Sequence, residues 1–240
     1  MADTKIALVT GANKGIGKEI ARQLGELGMT VLVGARDERR GRDAAAELAA
    51  GKIDARPVQL DVTDAESVAA AAKLVERDHG RLDVLVNNAG VLREWFDKPA
   101  TPEDFQDMFA TNVTGVVTVT RAMLPLLRKA SASRVVNVSS EIGSLALLSD
   151  PNSDQSAVPF YAYSASKAAL NVVTVMFANE LRGEGIKVNA ICPGYCATDM
   201  NDHQGVRTPA QGAAVAVRMA TGPDDGPTGQ FRNEAGPLPW

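Results

Sequence analysis

Two residues of the chain, Tyr163 and Lys167, have side chains and a spacing suited to proton transfer. They lie four positions apart in the segment Tyr161-Ala-Tyr163-Ser-Ala-Ser-Lys167, and residues four apart on a helix share one face. Tyr161 has no such partner, because Ala165 lies four positions after it. Taken alone, the pair is better explained as an aromatic residue and a lysine on an exposed helix face. Its assignment to a site therefore depends on other motifs.

The chemistry of such a pair depends on its surroundings. A phenol titrates at about 10, so an acid useful at neutral pH needs a pKa lower by roughly 2–3 units, and burial acts in the opposite direction. An ammonium about 4 Å away contributes ~4 kcal/mol at an effective dielectric of about 20, which corresponds to ~3 pKa units. In bulk water the same contact contributes only ~1 kcal/mol. We therefore expect the lysine to lower the pKa of the phenol only inside a sheltered cleft.

A glycine-rich turn follows the first apolar run of the chain. Residues 6–9 are continuously apolar, the turn has Gly11, Gly15 and Gly17, and a helical stripe then extends to Leu27. A strand that turns into a helix through glycines lets a pyrophosphate approach backbone N–H groups and the positive helix end. The alternative is a plain strand–helix connection. The spacing G-x-x-x-G-x-G differs from the common G-x-G-x-x-G pattern.

Composition excludes several classes of function. The net charge of -4 and the pI near 5.3 argue against a nucleic acid or an anionic membrane as partner. The two cysteines and two histidines predict no metal site and no disulfide framework. The sequence shows no signal-peptide pattern and no long apolar run, so we expect a cytoplasmic protein with reduced thiols.

Short apolar runs alternate with helical patterns along the whole chain, which is typical of βαβ units. Strands are predicted at 6–9, 31–34, 58–60, 82–86, 134–138, 187–191 and 229–232. Helices are predicted at 16–27, up to 51, from 63 or 64 to 80, at 102–129, around 163–182 and at 208–220, with loop composition at 148–159. We predict one doubly wound α/β domain over residues 1–240, with a mostly parallel sheet of about seven strands and helices on both faces.

In this order along the chain, the motifs resemble the short-chain dehydrogenase/reductase family over roughly residues 5–200. The resemblance depends on Thr10-Gly11-x-x-x-Gly15-x-Gly17, Asn87-Asn-Ala-Gly90, Asn112, Ser140, Tyr163-x-x-x-Lys167 and Pro193-Gly194. Within the family the sequence is most similar to the monomeric carbonyl reductases. The segments that carry this closer similarity are 10–17, 34–37, 135–140, 198–200, 229–231 and Trp240.

The resemblance implies a set of site residues. The catalytic residues would be Asn112, Ser140, Tyr163 and Lys167. The cofactor would be bound by Gly11, Asn13, Lys14, Gly15, Ile16, Gly17, Arg36, Asp61, Val62, Asn88, Ala89, Gly90, Tyr163, Lys167, Pro193, Gly194 and Thr198. By the same resemblance, a reduced nicotinamide would send hydride to a carbonyl carbon while Tyr163 gives a proton to the oxygen. Ser140, the second residue of a Ser-Ser pair, would hold that oxygen. Asn112 would kink its helix, so that a backbone carbonyl is available for an interaction with Lys167.

The predicted cofactor is NADPH, with NADH as the less favoured alternative. Arg36 follows the second strand, where an acid would bind a ribose hydroxyl and an arginine would bind a 2′-phosphate. Lys14 adds a second positive charge, although both could be solvated surface charges. Asp37 leaves NADH open, because an acid there could still reach the ribose.

Substrate and assembly are less constrained by the sequence. Segment 148–159 would be an insertion over the active-site entrance, and 198–228 would be the substrate-binding region. We expect a small-molecule carbonyl substrate (a ketone, aldehyde or quinone) and a monomer, with a dimer or tetramer as alternatives. The remaining alternatives are a reductase of ketoacyl thioesters or hydroxysteroids and a noncatalytic NADP(H) sensor. Cys192 and Cys196 are interpreted as small buried residues.

Overall fold

A parallel seven-stranded sheet runs through residues 4–240, the part of the chain that the computed structural model describes. Its strands are β1 Ile6–Thr10, β2 Thr30–Ala35, β3 Ala55–Gln59, β4 Val84–Asn87, β5 Arg134–Val138, β6 Lys187–Ile191 and β7 Phe231–Arg232. The spatial order is β3-β2-β1-β4-β5-β6-β7, and all neighbouring pairs are parallel. The predicted doubly wound α/β class is confirmed, and the sheet is parallel throughout.

Helices cover both faces of this sheet. They are α1 Gly15–Glu26, α2 Glu38–Ala50, α3 Ala65–His79, α4 Pro102–Phe109, α5 Gly115–Leu127, α6 Leu145–Ser149, α7 Tyr161–Glu180 and α8 Pro209–Ala220. Successive strand residues point to opposite faces, so Ala7 and Val9 contact the core formed with α1, α2 and α8, whereas Leu8 contacts the core formed with α3, α5 and α7. None of the helices in the described range is long and apolar enough to cross a bilayer.

Strand order reverses at β1, which lies between β2 and β4. In open α/β sheets the crevice outside the carboxyl ends of the strands at such a reversal is the usual ligand site. The glycine turn follows β1 and the Asn-Asn-Ala-Gly segment follows β4, so the reversal brings these two motifs together.

Strand β3 begins three residues before its predicted start. Arg56 and Pro57 gave no apolar signal, but they lie on an edge strand and both are exposed. An edge strand accepts a proline because one of its sides needs no ladder hydrogen bond. Apolar periodicity identified only the half of the strand that contacts the core.

The helix predicted over 102–129 is interrupted. A π-helical turn, Ala110–Thr114, separates α4 from α5 and contains Asn112. A π-turn inserts one extra residue into the helical ladder, and such turns are frequent at functional sites. The sequence pattern predicted the overall length of the helical segment, and the family resemblance predicted the kink at Asn112.

Segment 148–159 is more regular than its loop composition predicted. The short helix α6 enters it, and a 3₁₀ turn covers Asp154–Ala157. Ser144 and Ser153 supply the caps, since their side chains accept from Leu147 N and Gln155 N. Local serine capping therefore orders a segment whose Ser, Asp and Pro content is typical of loops.

Candidate active site at the strand ends

The glycine turn lies directly against the end of β4. Gly11 and Gly15 have φ values of +63° and +56°, in the left-handed region that favours glycine. A Cβ on Gly17 would lie 2.4 Å from Asn88 Nδ2 and 2.5 Å from the Gly11 carbonyl oxygen. The three predicted glycines are therefore required by backbone conformation at two positions and by close approach at the third.

The hydroxyl of Thr10 fixes the two strand ends to each other. It accepts hydrogen bonds from Asn88 N at 3.0 Å and Ala89 N at 2.9 Å. In return, Asn88 Nδ2 donates to Thr10 O at 2.9 Å and Gly11 O at 3.2 Å. Asn88 and Ala89 thus hold the glycine turn in shape. Sequence analysis placed Thr10 in the motif without assigning it this role.

Helix α1 begins at the glycine turn without a side-chain cap. The first backbone N–H groups of a helix have no intrahelical partner and favour an anion. Gly15 faces Thr198, since a Cβ on Gly15 would be 3.6 Å from Thr198 Cγ2. The glycine turn, the uncapped start of α1 and Thr198 in the segment after β6 therefore lie close together.

Lys14 is paired with an acid. Its Nζ lies 2.6 Å from Asp199 Oδ2, and the ammonium holds the pKa of Asp199 below its usual value. Both side chains are more than half exposed, so the pair contributes little to stability. The sequence analysis placed a positive charge at Lys14 but did not identify its acidic partner.

The end of the site predicted to hold adenine and ribose includes residues missed by the sequence analysis. A cavity of about 380 Å³ lies beside the glycine turn and is lined by Asn13, Lys14, Arg40, Asp43, Ala44, Glu47 and Asp199. Arg40 was not predicted; it lies on the first turn of α2, whereas Arg36 precedes that helix. The Arg36 guanidinium makes no ion pair with any residue in the range 4–240. Asp61 closes its own turn by accepting from Thr63, and Val62 packs against Gly115.

Tyr163 and Lys167 lie on the first two turns of α7, as predicted. Lys167 is buried, and its Nζ donates to Val138 O at 2.8 Å and lies 5.4 Å from the centre of the Tyr163 ring. A Cβ on Gly90 would be 3.7 Å from this Nζ. The fold therefore places the ammonium between the end of β5 and the segment after β4.

Burial dominates the titration of both groups. It raises the pKa of the Tyr163 phenol above its usual value, with the nearby Cys192 sulfur adding to the effect. It also lowers the pKa of Lys167 to about 8, against a smaller opposing effect of Cys192. The expected net lowering of the Tyr163 pKa is thus not met, because burial outweighs the neighbouring positive charge. At neutral pH the phenol is protonated and the ammonium is largely charged.

The two serines after β5 have different environments. Ser139 is 2% exposed, and its hydroxyl donates to Asn171 Oδ1 at 2.7 Å. Ser140 is half-buried, and its hydroxyl makes no hydrogen bond within residues 4–240. The geometry favours Ser140 as the free donor. The sequence alone had left that choice to the resemblance.

Asn171, which the sequence analysis missed, fixes the segment that carries Ser140. Its Oδ1 accepts from Ser139 and its Nδ2 donates to Gly143 O at 3.1 Å. Gly143 lies so close to α7 that a Cβ there would be 2.7 Å from Lys167 Cβ. Asn171 lies four positions after Lys167, so its spacing was the signal that could have identified it.

Asn112 is completely buried in the π-turn, and its side chain links two segments. Its Oδ1 accepts from Val91 N at 2.9 Å, and its Nδ2 donates to Val91 O at 3.0 Å and to Ser166 Oγ at 3.0 Å. Ser166 Oγ in turn donates to Tyr163 O at 2.7 Å. Asn112 therefore holds the segment after β4 against the helix of the tyrosine.

The segment after β6 completes the site. A Cβ on Gly194 would be 2.7 Å from Arg207 Cδ, and Gly194 N donates to Cys192 Sγ at 3.4 Å. Both cysteines are buried and free. Burial raises the pKa of Cys192 to about 12, which fits an inert thiol better than a nucleophile. Pro193 and Gly194 thus lie beside two buried free thiols.

Fold and site together define a class of protein. A doubly wound parallel sheet carries a glycine turn at its switch point, and the half-buried Tyr163 and the buried Lys167 lie near it on one helix, the arrangement of a nucleotide-dependent oxidoreductase. The family model for short chain dehydrogenases matches residues 5–207. The chain belongs to the short-chain dehydrogenase family.

Individual members of this family are similar over almost the entire chain. Carbonyl reductase [NADPH] 1 of Mus musculus is 33% identical over 273 aligned positions, covering 98% of both chains. The structure of salutaridine reductase from Papaver somniferum has a TM-score of 0.84 at 32% identity, covering 96% of this chain and 99% of the other. A gluconate 5-dehydrogenase from Burkholderia cenocepacia, solved with NADP and tartrate, has a TM-score of 0.83 at 26% identity, covering 96% and 93%.

Proposed function

We propose that this protein reduces the carbonyl group of a small molecule to an alcohol, using NADPH and Tyr163 as the proton donor. The observation that carries the proposal is the cluster at the strand ends. A protonated phenol and a buried ammonium lie on the first two turns of α7, the ammonium donates to Val138 O at the end of β5, and the unengaged Ser140 hydroxyl follows two positions later. The ammonium also lies near Gly90, in the segment after β4. Similarity to reductases, including one named for NADPH, supports the same reaction.

The chain's own residues would bind and protonate the substrate. Bound NADPH would supply the hydride. Ser140 donates a hydrogen bond to the carbonyl oxygen, and Tyr163 transfers its phenolic proton to that oxygen as negative charge develops there. The buried Lys167 ammonium then stabilises the phenolate, because charges interact strongly where water is excluded. The raised pKa of Tyr163 keeps the acid protonated before reaction.

The proposed roles predict a falling rate at alkaline pH. Lys167 is charged below its pKa of about 8 and neutral above it, so the phenolate loses its counter-charge as pH rises. We expect kcat for reduction to be level from about pH 6 to 7.5 and to fall up to tenfold per unit beyond about 8.5. Stopped-flow rates at saturating NADPH would measure this.

Thermal unfolding at the same pH values is the control for that profile. The folded-state pKa of Lys167 lies below its usual value, so the penalty for burying its charge is relieved as pH rises past 8. Deprotonation of Lys167 therefore favours folding, and its loss of charge should not unfold the protein. A rate that increases through pH 8 would contradict the role given to Lys167.

The preference for NADPH is supported by the residues after β2. Asp37 caps α2 by accepting from Arg40 N at 2.9 Å, so its carboxylate is engaged away from a ribose. Arg36 has no acid partner within the described residues, and Arg40 lines the cavity beside the glycine turn. Two arginines, one just before α2 and one on its first turn, suit a 2′-phosphate.

Exposed apolar side chains support an uncharged substrate. Leu145, Tyr195 and Met200 are exposed by 68%, 48% and 44%, and they follow the segments that carry Ser140, Gly194 and Thr198. Met200 lies within 198–228, and Leu145 begins the short helix α6 that leads into 148–159, so we propose that both segments contact the substrate. As further proposals, the protein acts in the cytoplasm as a monomer, with neither nucleic acid nor membrane as a partner.

The proposed function is tested with a panel of substrates: ketones, aldehydes, quinones, a ketoacyl thioester and a ketosteroid. NADPH or NADH consumption is followed by absorbance. We expect a quinone or α-dicarbonyl to be reduced with NADPH, and Arg36→Ala to raise the KM for NADPH about 10–100-fold without changing that for NADH. If NADPH were consumed only with the ketoacyl thioester or only with the steroid, the protein would be a reductase of that substrate class. No consumption together with tight NADPH binding would favour a sensor.

A further inference from the structure

Glu94 is a buried acid beside the catalytic helix that no motif identified. It is 2% exposed, lies between β4 and α4, and its Oε1 accepts from Tyr163 N at 2.6 Å. Its second oxygen, Oε2, is buried without a hydrogen-bond partner among the described residues. Because a half-satisfied buried carboxylate is unfavourable, stability alone does not account for an acid at this position.

Helix α7 lacks a cap of its own. Its N-cap residue, Phe160, makes no side-chain cap hydrogen bond. Glu94 acts as the cap instead, although it lies 69 positions away in the sequence. Its carboxylate accepts from the third N–H of the helix, near the positive helix end. The residue whose N–H it binds is Tyr163 itself.

The backbone of Tyr163 is thereby held at both of its polar groups. Glu94 binds its N–H, and Ser166 binds its carbonyl oxygen at 2.7 Å and is held in turn by Asn112. Both connections lead to the segment after β4, because Asn112 also binds Val91 at both backbone groups. The position of the tyrosine is thus coupled to the segment that faces the nucleotide cradle.

Aromatic packing fixes the same segment next to Glu94. Trp95 and Lys98 exchange backbone hydrogen bonds of 2.8 and 3.0 Å in a tight turn. The Trp95 ring stacks on Phe160 at 5.7 Å between centroids. The residues that follow Glu94 are therefore held by hydrogen bonds and aromatic packing, which fixes the position of its carboxylate.

We propose that Glu94 is a positioning residue that sets the place of Tyr163 relative to the nicotinamide and Ser140. The proposal rests on the function proposed above, since it assigns Glu94 a part in that reaction. Glu94 touches neither substrate nor cofactor in this role. It acts through the first turn of α7, where small displacements of the phenol reduce proton transfer steeply.

The test compares Glu94→Ala and Glu94→Gln with Asp64→Ala, which removes a carboxylate cap from α3. We expect Glu94→Ala to lower kcat about 10–100-fold with the NADPH dissociation constant changed less than about threefold. Glu94→Gln retains an acceptor and should recover kcat to within about fivefold of the unmodified protein. Asp64→Ala should lower the melting temperature without lowering kcat. Loss of stability alone in Glu94→Ala would overturn the proposal.

Hydrogen–deuterium exchange makes the test independent of the assigned reaction. Peptides covering 161–166 should exchange about tenfold faster in Glu94→Ala, whereas those covering α3 should not change. Unchanged exchange there would overturn the proposal even if carbonyls are reduced. If Glu94→Ala exchanges faster but the protein reduces no carbonyl, Glu94 still anchors α7 and the proposed function is wrong. If Glu94→Ala does not fold, Glu94→Asp, which withdraws the carboxylate by one methylene, should show the same kcat loss and faster exchange.

Discussion

Replacing Tyr163 with Phe is expected to lower kcat for carbonyl reduction by about 10²–10⁴-fold, the usual contribution of a positioned general acid. The substitution removes the proton that the carbonyl oxygen would receive and leaves the ring. The contact of that ring with Lys167 Nζ, 5.4 Å from its centre, is retained. We therefore expect the NADPH dissociation constant to change less than about threefold, measured by quenching of nicotinamide fluorescence.

Tyr161→Phe is the matched control for this prediction. Tyr161 is 74% exposed and lies two positions earlier on the same helix, so loss of its hydroxyl should leave kcat unchanged. Equal activity of Tyr163→Phe and the unmodified protein would refute Tyr163 as the acid. An equal loss in both variants would indicate a general effect on α7.

Replacing Ser140 with Ala should reduce kcat by about 10²–10³-fold, as expected for the loss of one donor to a developing oxyanion. Its hydroxyl makes no hydrogen bond within residues 4–240, so the free energy of unfolding should change by less than about 0.5 kcal/mol. Urea unfolding and steady-state kinetics of the same preparation would measure both effects.

Ser139→Ala should show the opposite pattern. The Ser139 hydroxyl is buried and donates to Asn171 at 2.7 Å, so its removal is expected to lower the free energy of unfolding by about 1–3 kcal/mol. We expect kcat to fall less than about tenfold, because Ser140 is retained. If Ser139→Ala caused the larger kinetic loss, the donor would have been assigned to the wrong serine.

The order of elements could be predicted from the sequence because local signals agree with the fold. The apolar runs of β1 and β2 fit strands buried on both faces. Side-chain caps begin five of the eight helices in the described range, α2, α3, α4, α6 and α8. The prediction of element bounds failed where an element is partly exposed or is ordered by side-chain caps. Arg56 and Pro57 belong to an exposed edge strand, and serine caps order residues that read as a loop.

The candidate site was partly predictable for a related reason. Glycines, Tyr163 and Lys167 belong to short segments whose spacing reports local geometry, so their neighbourhood within one turn or one helix follows from the chain. Thr10 and Asn171 lay within or near such motifs, but their partners come from other elements. Arg40 lines a cavity together with residues of the glycine turn and of the segment after β6. No pattern in the segment Leu92-Arg93-Glu94-Trp95 distinguishes a buried cap from a solvated acid.

The sequence by itself determined the fold class, the family and the residues able to do chemistry, because periodicity and motif spacing are properties of neighbouring positions. Only the tertiary structure decided which serine is free, that Lys14 is paired with Asp199, and that Glu94 holds Tyr163 from 69 positions away. It also decided that burial, more than the neighbouring charge, sets the pKa values of Tyr163 and Lys167. Desolvation and long-range hydrogen bonds depend on how elements pack, which the order of residues does not state.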